Sequence, residues 1–224
     1  MKKAVSFITV GQSPREDIMD ELEAHLSSAI EVRQRGALDH MSVEEVKSRL
    51  VPSPGEAVMT SRIRGGEMMD FSKKKVMPLL QKAIDEECEK GASMIAILCT
   101  NAFDALHCRV PMLLPFDILH SITAAIQADC KVGALFPFES FAGIMEKNWL
   151  DYGVSVVYQC MGTKEKNWDR YAEFFRQKKT DLLILDCIGY TYACRDYFAK
   201  QLSIPIVHPR TILVETIHSL LGVS

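Results

Sequence analysis

The sequence lacks the features that would mark a membrane, zinc or dinucleotide-binding protein. No window approaches the roughly 18 consecutive apolar residues of a spanning helix, so no membrane partner is expected. No CxxC and no His/Cys cluster has the spacing of zinc ligands, and we therefore predict no metal site. No G-x-G-x-x-G follows the first predicted strand, which argues against a dinucleotide-binding Rossmann protein.

The sequence also lacks a large excess of positive or negative charge. The formal net charge is -3, and no basic run exceeds Lys73-Lys74-Lys75, so nucleic acid is not an expected partner. The first apolar run, 4–10, is too short for a signal peptide and lacks a small-residue cleavage site. The seven cysteines are odd in number and irregularly spaced, as in proteins whose thiols stay reduced. We therefore expect a cytoplasmic protein.

Short apolar runs alternate with amphipathic helical patterns along the whole chain. This alternation predicts an α/β fold with a mostly parallel sheet. One interruption is a predicted hairpin insertion at 57–71, where Gly65 and Gly66 separate two β-prone runs. One helix is predicted over 116–128. The predicted strands, other than the hairpin, are 4–10, 31–38, 94–98, 131–136, 153–159, 182–186 and 204–208.

Two of these strands end in a cysteine. Residues 94–98 and 182–185 are apolar without alternation, which is typical of strands buried on both faces of a parallel sheet. Cys99 and Cys187 follow them, at the strand ends where α/β proteins bind ligands. A helix predicted after each cysteine would lower the pKa of the thiol from its free value of about 8.5. We predict that two similar half-domains oppose these thiols, an arrangement that suits moving a proton between the two faces of a carbon. Because free cysteine is often buried, core filling is the alternative.

The turn after the first strand, Gly11-Gln12-Ser13-Pro14-Arg15, is the second candidate site. Ser13 is a suitable N-cap and Pro14 suits the first helical position. Backbone N–H groups at Gln12 and Ser13 would then favour an anion. Arg15 is expected either to clamp a second substrate carboxylate or to pair with Asp17. Gly11 belongs to the same predicted substrate-binding turn.

Other polar residues carry open alternatives. His208 is either a proton shuttle or a packing histidine. Asp186 precedes Cys187 and is expected to make a structural hydrogen bond. Arg62 and Arg64 of the hairpin either cover the site or face solvent or a dimer partner. Backbone N–H groups after each cysteine, including those of Ile188 and Gly189, are candidate donors to a developing oxyanion.

Five motifs together resemble the AroM family. They are the turn after strand one, Arg35-Gly36-Ala37-Leu38-Asp39, Arg62-Ile63-Arg64-Gly65-Gly66, Leu98-Cys99-Thr100-Asn101 and Leu185-Asp186-Cys187-Ile188-Gly189-Tyr190. That family is similar to a branch of the aspartate/glutamate racemase superfamily, which includes amino-acid and hydantoin racemases, maleate isomerases and arylmalonate decarboxylases. The resemblance covers essentially the whole chain.

The resemblance implies two Rossmann-like parallel-sheet lobes with pseudo-twofold symmetry and an active site in the interlobe cleft. The N-terminal lobe would comprise residues 1–115 and 205–224, and the C-terminal lobe residues 116–204. It also implies catalysis without a cofactor, a homodimer, Cys99 and Cys187 at the two catalytic positions, and carboxylate binding by Thr100 and Asn101. The residue after the second cysteine is Ile188, where glutamate racemases usually have threonine, so the superfamily does not supply the substrate.

Together these features predict a cofactor-independent isomerase or racemase that acts on a small carboxylate or amino acid. Two alternatives stay open. One is a decarboxylase that needs a single cysteine to protonate the carbanion. The other is a non-catalytic protein on the same fold that binds a small carboxylate or serves a regulatory role.

Overall fold

Two parallel sheets with helices form the fold of this chain. The structure, a computed structural model, describes residues 2–103, 106–126 and 129–223. The chain divides into two compact units, Met1–Leu114 with His218–Ser224, and Pro115–Ile217. The α/β class and the two parallel sheets predicted from the sequence are confirmed.

The first unit contains six strands and three helices among its described residues. In chain order they are β1 (Lys3–Thr9), α1 (Glu16–His25), β2 (Ile30–Gly36), α2 (Val43–Arg49), β3 (Val58–Arg62), β4 (Met68–Ser72), α3 (Lys73–Glu89), β5 (Met94–Ile97) and β6 (Met112–Leu113). The parallel sheet has the order β2-β1-β5-β6. Strands β3 and β4 form a separate antiparallel hairpin, whose tip uses Gly65 and Gly66 at φ 88° and 82°. Glycine adopts this left-handed conformation without a steric penalty.

The second unit repeats the alternation of strand and helix. Its elements are α4 (Pro115–Ile126), β7 (Val132–Phe136), a 3₁₀ turn (Glu139–Phe141), α5 (Ala142–Asp151), β8 (Val156–Cys160), α6 (Asp169–Lys178), β9 (Leu182–Leu185), α7 (Tyr192–Leu202), β10 (Ile206–Val207) and most of α8 (Pro209–Leu221). The last residues of α8, from His218 on, belong to the first unit. The parallel sheet has the order β10-β9-β7-β8. Helix α4 is described as far as Ile126, and its predicted end at Ala128 lies outside the described residues.

The segment 205–217 lies in the second unit, whereas the predicted lobes assigned it to the first. The physical reason is strand pairing, because β10 pairs with β9, with Ile206 opposite Leu183. A two-residue strand carries too little sequence signal to show which sheet it joins.

The central strands of both sheets are buried on both faces. Every residue of β5 and of β9 is buried, which agrees with their unbroken apolar runs. Within the described ranges, no helix is long and apolar enough to span a bilayer.

Two predicted helix starts are wrong. Helix α1 begins at Glu16 with Arg15 as its N-cap, so Ser13 does not cap it, and the Ser13-Pro14 peptide is cis. No helix follows Cys99 directly, since residues 98–103 and 106–114 contain only β6 and irregular chain. A helix dipole is therefore not available to lower the pKa of the Cys99 thiol.

Candidate active site

The turn after β1 and the turn that contains Cys99 leave neighbouring strands at the same edge of the first sheet. Ile8 pairs with Ile97, and the Leu98 N–H donates to the Ile8 carbonyl at 2.8 Å. Cys99 is half-buried and packs against the apolar core of this unit. Carboxyl ends of neighbouring parallel strands are the usual ligand-binding edge of such a sheet.

The residues after Cys99 have polar groups that the protein itself leaves available. Thr100 is half-buried and Asn101 is exposed. In the part of the chain that the structure describes, neither side chain makes a hydrogen bond. Their hydroxyl and amide groups are thus accessible to a ligand.

In the second unit, Cys187 lies in a tight turn between β9 and α7. The Gly189 N–H donates to Cys187 Sγ at 3.4 Å, and the Tyr190 N–H donates to the Cys187 carbonyl at 3.1 Å. An N–H donor to sulfur stabilises the thiolate relative to the thiol. Helix α7 begins only at Tyr192 and is capped by the Thr191 side chain. The helix start predicted next to Cys187 is therefore displaced along the chain.

Arg210, a fully buried residue near the start of α8, fixes the backbone of this turn. Its Nε donates to the Ile188 carbonyl at 2.8 Å and its Nη2 to the Gly189 carbonyl at 3.3 Å. Charged donors make stronger hydrogen bonds than neutral ones, so this residue holds the turn rigidly. Arg210 was missed from the sequence. A cation in the first turn of a helix opposes the helix dipole, and that unfavourable placement was the available signal.

His208 holds the same turn from the other side. Its Nε2 lies 2.9 Å from the Tyr190 carbonyl and its Nδ1 lies 3.0 Å from Thr211 Oγ1. The tautomer that fits donates from Nε2 and accepts at Nδ1. Burial lowers the pKa of His208 to about 4, so the ring is neutral at physiological pH. The geometry favours the packing interpretation over the proton shuttle.

Asp186 is a buried acid directly before Cys187. Its Oδ2 accepts from Trp149 Nε1 at 2.9 Å, while its Oδ1 makes no hydrogen bond to any residue that the structure describes. Burial raises the pKa of Asp186 to about 7, because the charged form loses its solvation. The structural hydrogen bond expected from the sequence is present, with the Trp149 indole as the donor.

In the turn after β1, the donors that were expected to bind a substrate anion bind the carboxylate of Asp39. Ser13 donates to Asp39 through both its N–H, at 2.8 Å, and its hydroxyl, at 2.7 Å. The Gly36 N–H donates to the same carboxylate at 2.8 Å. A Cβ at Gly36 would lie 2.5 Å from Asp39 Oδ1, so only glycine permits this approach. A substrate carboxylate at the Ser13 donors would have to displace Asp39.

Gln12 ties the turn to the hairpin and to the segment after β2. Its Nε2 donates to the carbonyls of Leu38 and Met41 at 3.0 and 2.8 Å, and its Oε1 accepts from the Arg64 N–H at 3.0 Å. The Gln12 N–H donates to the Arg62 carbonyl. All polar groups of the side chain therefore have protein partners. Gly11 sits against the hairpin as well, since a Cβ there would lie 1.9 Å from the Arg62 carbonyl oxygen.

Arg15 is buried and engaged. Its Nε and Nη2 donate to the two carboxylate oxygens of Asp17 at 2.9 Å, and its Nη1 donates to Thr9 Oγ1 at 3.1 Å. Of the two roles considered for Arg15, the structure contains the pair with Asp17. Within that pair the Arg15 side chain is 9% exposed and the Asp17 side chain 26% exposed.

A cavity of about 410 Å³ lies between this turn and the hairpin tip. It lies within the first unit and is lined by Gln12, Ser13, Pro14, Arg15, Glu16, Asp17, Arg62, Ile63, Arg64, Gly65 and Gly66. Among the described residues, no group of three His, Cys, Asp or Glu side chains is placed to hold a metal ion.

Comparisons with known proteins agree on family and fold. A profile of the AroM family, described as AroM protein, matches residues 5–221. No curated protein matches the chain. The chain is similar in structure to allantoin racemase from Klebsiella pneumoniae, with a TM-score of 0.68, 12% identity, and coverage of 100% of this chain and 90% of that one.

Two further solved structures have the same fold. Maleate isomerase from Pseudomonas putida S16 matches with a TM-score of 0.64 and 11% identity, covering 100% of this chain and 94% of that one. A double mutant of arylmalonate decarboxylase matches with a TM-score of 0.65 and 13% identity, covering 99% and 93%. The racemase-type fold implied by the five motifs is confirmed.

Proposed function

This chain belongs to the AroM protein family, and from that premise we propose that it is a cofactor-independent isomerase or racemase acting on a small carboxylate or amino acid. Cys99 and Cys187 are the proposed acid and base. The racemase-type fold supports the reaction class, because a racemase and an isomerase share it at low identity. Fold alone does not determine chemistry, so the proposal depends on the site.

The observation that carries the proposal is the construction of the Cys187 turn. Three successive carbonyls, those of Ile188, Gly189 and Tyr190, are held by buried Arg210 and His208. Burying an arginine to fix a turn is costly, and it is justified where a reactive group needs one position. The turn aims an N–H at the sulfur, which favours the reactive thiolate.

The proposed reaction moves one proton off the substrate and another onto it. One cysteine, as thiolate, takes the proton α to the carboxylate, and the C–H electron pair moves into the carboxylate to give an enediolate. The other cysteine donates its S–H proton to the opposite face as the enediolate collapses. Nothing is oxidised or reduced, and the two thiols exchange protonation states.

Available donors support stabilisation of the enediolate oxygens. The Ile188 N–H makes no hydrogen bond within the described ranges, and the Thr100 and Asn101 side chains are likewise unused there. Donors already in place before charge develops need no reorganisation during the reaction, and one such donor is typically worth about 10² to 10³ in rate. Thr100, Asn101 and Ile188 are the proposed substrate-binding residues.

A second candidate, decarboxylation with one catalytic cysteine, is favoured by the difference between the two turns. Cys187 receives an N–H and sits in a turn fixed by Arg210, whereas an irregular segment follows Cys99. In that reaction a C–COO⁻ bond breaks, carbon dioxide leaves, and a cysteine S–H protonates the remaining enediolate. Water then returns the proton to the thiolate.

The test measures hydrogen exchange and carbon dioxide release with single-cysteine variants. Malonate, succinate and glutamate, each with a hydrogen on a saturated carbon α to a carboxylate, are incubated with the protein in D₂O and followed by NMR. Two-thiol chemistry requires that Cys99→Ala and Cys187→Ala each abolish α-deuteration or isomerisation, while the matched control Cys130→Ala retains it. Loss in only one variant, accompanied by carbon dioxide release, supports the decarboxylase instead. Unchanged turnover in both variants, or no turnover by the wild type alongside binding, would overturn the isomerase assignment.

A further inference from the structure

The cavity between the β1–α1 turn and the hairpin tip is lined by an arginine, Arg62, whose N–H donors are mostly not hydrogen-bonded to described residues. Arg62 lines this cavity, and its side chain is only 20% exposed. The sole polar contact of its guanidinium with any described residue is the ion pair with Asp17, whose Oδ1 lies 3.5 Å from Arg62 Nη1. That distance exceeds a normal hydrogen bond. A guanidinium has five N–H donors, so most of those of Arg62 are available to a ligand.

The other two arginines of the cavity already bind protein groups. Arg15 is bound bidentately to Asp17, and Arg64 donates from Nη2 to the Asp39 carbonyl at 2.9 Å. Glu16 is exposed. Arg64 also lies 3.9 Å from Asp39 Oδ1, so a carboxylate outside the lining offsets its charge. Arg62 is the one lining arginine whose side chain makes no hydrogen bond to any described residue.

The size and lining of the cavity suit a carboxylate on a short carbon chain. At about 410 Å³ it is far larger than one carboxylate, and Pro14 and Ile63 give it apolar wall. Gly65 and Gly66 bring no side chains, and a Cβ at either would meet nothing within 4 Å. The planar fork of an arginine binds a carboxylate bidentately.

From these observations we infer that Arg62 binds a second carboxylate of the substrate, so that the substrate is a small dicarboxylate. This inference rests on the proposed function, in which the first carboxylate is adjacent to the reacting carbon. The turn that lines the cavity and the Cys99 turn leave neighbouring strands of one sheet, as the pairing of Ile8 with Ile97 requires. The hairpin thus supplies a specificity residue, Arg62, that the parallel sheet alone lacks.

Calorimetric titration with succinate and with butyrate, which has the same chain length and one carboxylate, tests the inference. The wild type should prefer succinate. Arg62→Ala should raise the dissociation constant for succinate about tenfold to hundredfold, the range for losing a charged hydrogen bond. Its affinity for butyrate should stay unchanged. The matched control is Arg49→Ala, which removes an arginine that is 69% exposed on α2.

Arg62→Lys keeps the charge and removes the fork, so it should weaken succinate binding partially. It also provides the test if thermal melting shows that Arg62→Ala does not fold. Equal succinate affinity in Arg62→Ala and wild type overturns the inference, as does wild-type protein with no preference for succinate. Titrations repeated in the Cys99→Ala/Cys187→Ala double variant separate the two proposals. Arg62-dependent binding without thiol-dependent exchange keeps the anion site and rejects the isomerase, and the reverse result rejects only the anion site.

Discussion

Replacing Asp186 with asparagine should change how the stability of the protein depends on pH. Burial raises the pKa of Asp186 from 3.8 to about 7. The unfolded state therefore loses its proton near pH 3.8, while the folded state keeps it until about pH 7. Stability from this group is greatest at low pH and falls as the pH rises between these two values.

The expected magnitude follows from the size of the shift. One pKa unit corresponds to about 1.4 kcal/mol, so the loss between pH 4.5 and pH 8 is about 3 kcal/mol. Asparagine has no such titration, although its amide nitrogen adds a buried donor with a cost that does not depend on pH. The stability of Asp186→Asn relative to wild type should therefore improve by about 3 kcal/mol over this range.

His208 acts in the opposite direction in both proteins. Burial lowers its pKa from 6.5 to about 4, so below pH 6.5 the unfolded state binds a proton that the folded state does not. Its contribution to stability is lost as the pH falls from 6.5 toward 4. In the wild type the two effects largely offset each other in this interval, and Asp186→Asn should expose the His208 dependence alone.

Urea denaturation of both proteins at half-unit steps from pH 4.5 to pH 8 measures the effect. Trp149→Phe is the companion variant, because it removes the indole hydrogen bond that lowers the pKa of Asp186. The stability loss in that variant should extend to higher pH. Parallel pH profiles for wild type and Asp186→Asn would refute the assignment of a buried, protonated acid beside Cys187.

Two further predictions concern the turns of the site. Arg210→Lys keeps the charge, but an ammonium group does not bind two carbonyls as a guanidinium does. Alkylation of Cys187 by iodoacetamide at pH 7, followed by mass spectrometry, should therefore slow by about tenfold. An unchanged rate would contradict the role of Arg210 in fixing the thiol. Gly36→Ala places a methyl group 2.5 Å from a carboxylate oxygen and 2.7 Å from the Gly11 carbonyl oxygen, and should lower the free energy of unfolding by about 1–3 kcal/mol. Gly143→Ala, where the added carbon meets nothing within 4 Å, is the matched control, and equal urea midpoints for the two variants would argue against the close approach.

The fold was predictable because buried parallel strands leave a direct trace in the sequence. The runs before Cys99 and Cys187 have no alternation, since both faces of each strand are covered. The end of α1 that faces the turn was less predictable. Ser13 and Pro14 have the composition of a helix start, but Asp39 binds the Ser13 hydroxyl and N–H that would otherwise cap a helix. A partner 26 residues away in the chain has no local signal.

The supporting residues of the site were the least predictable part. Cys187 was identified by its position after a strand, whereas Arg210, which holds its turn, comes from the following strand and helix. Pairing of β10 with β9 brings the two together, and a two-residue strand does not indicate that pairing. Arg15 and Gln12 also have side chains suited to a substrate. The pair of Arg15 with Asp17 was one of two alternatives drawn from the sequence, whereas only the structure shows that Leu38 and Met41 bind Gln12.

The hydrogen bonds from Arg210 and His208 to the turn are made to the main-chain carbonyls of residues 188–190 and not to their side chains. The path of the backbone beside Cys187 is therefore insensitive to which amino acid occupies position 188, where the superfamily's glutamate racemases usually have threonine. Position 189 does not accept a larger residue as easily, because a Cβ there would lie 2.8 Å from Thr163 Cγ2. A substitution at position 188 would change the side chain next to the sulfur and leave in place the main-chain hydrogen bonds that position the sulfur.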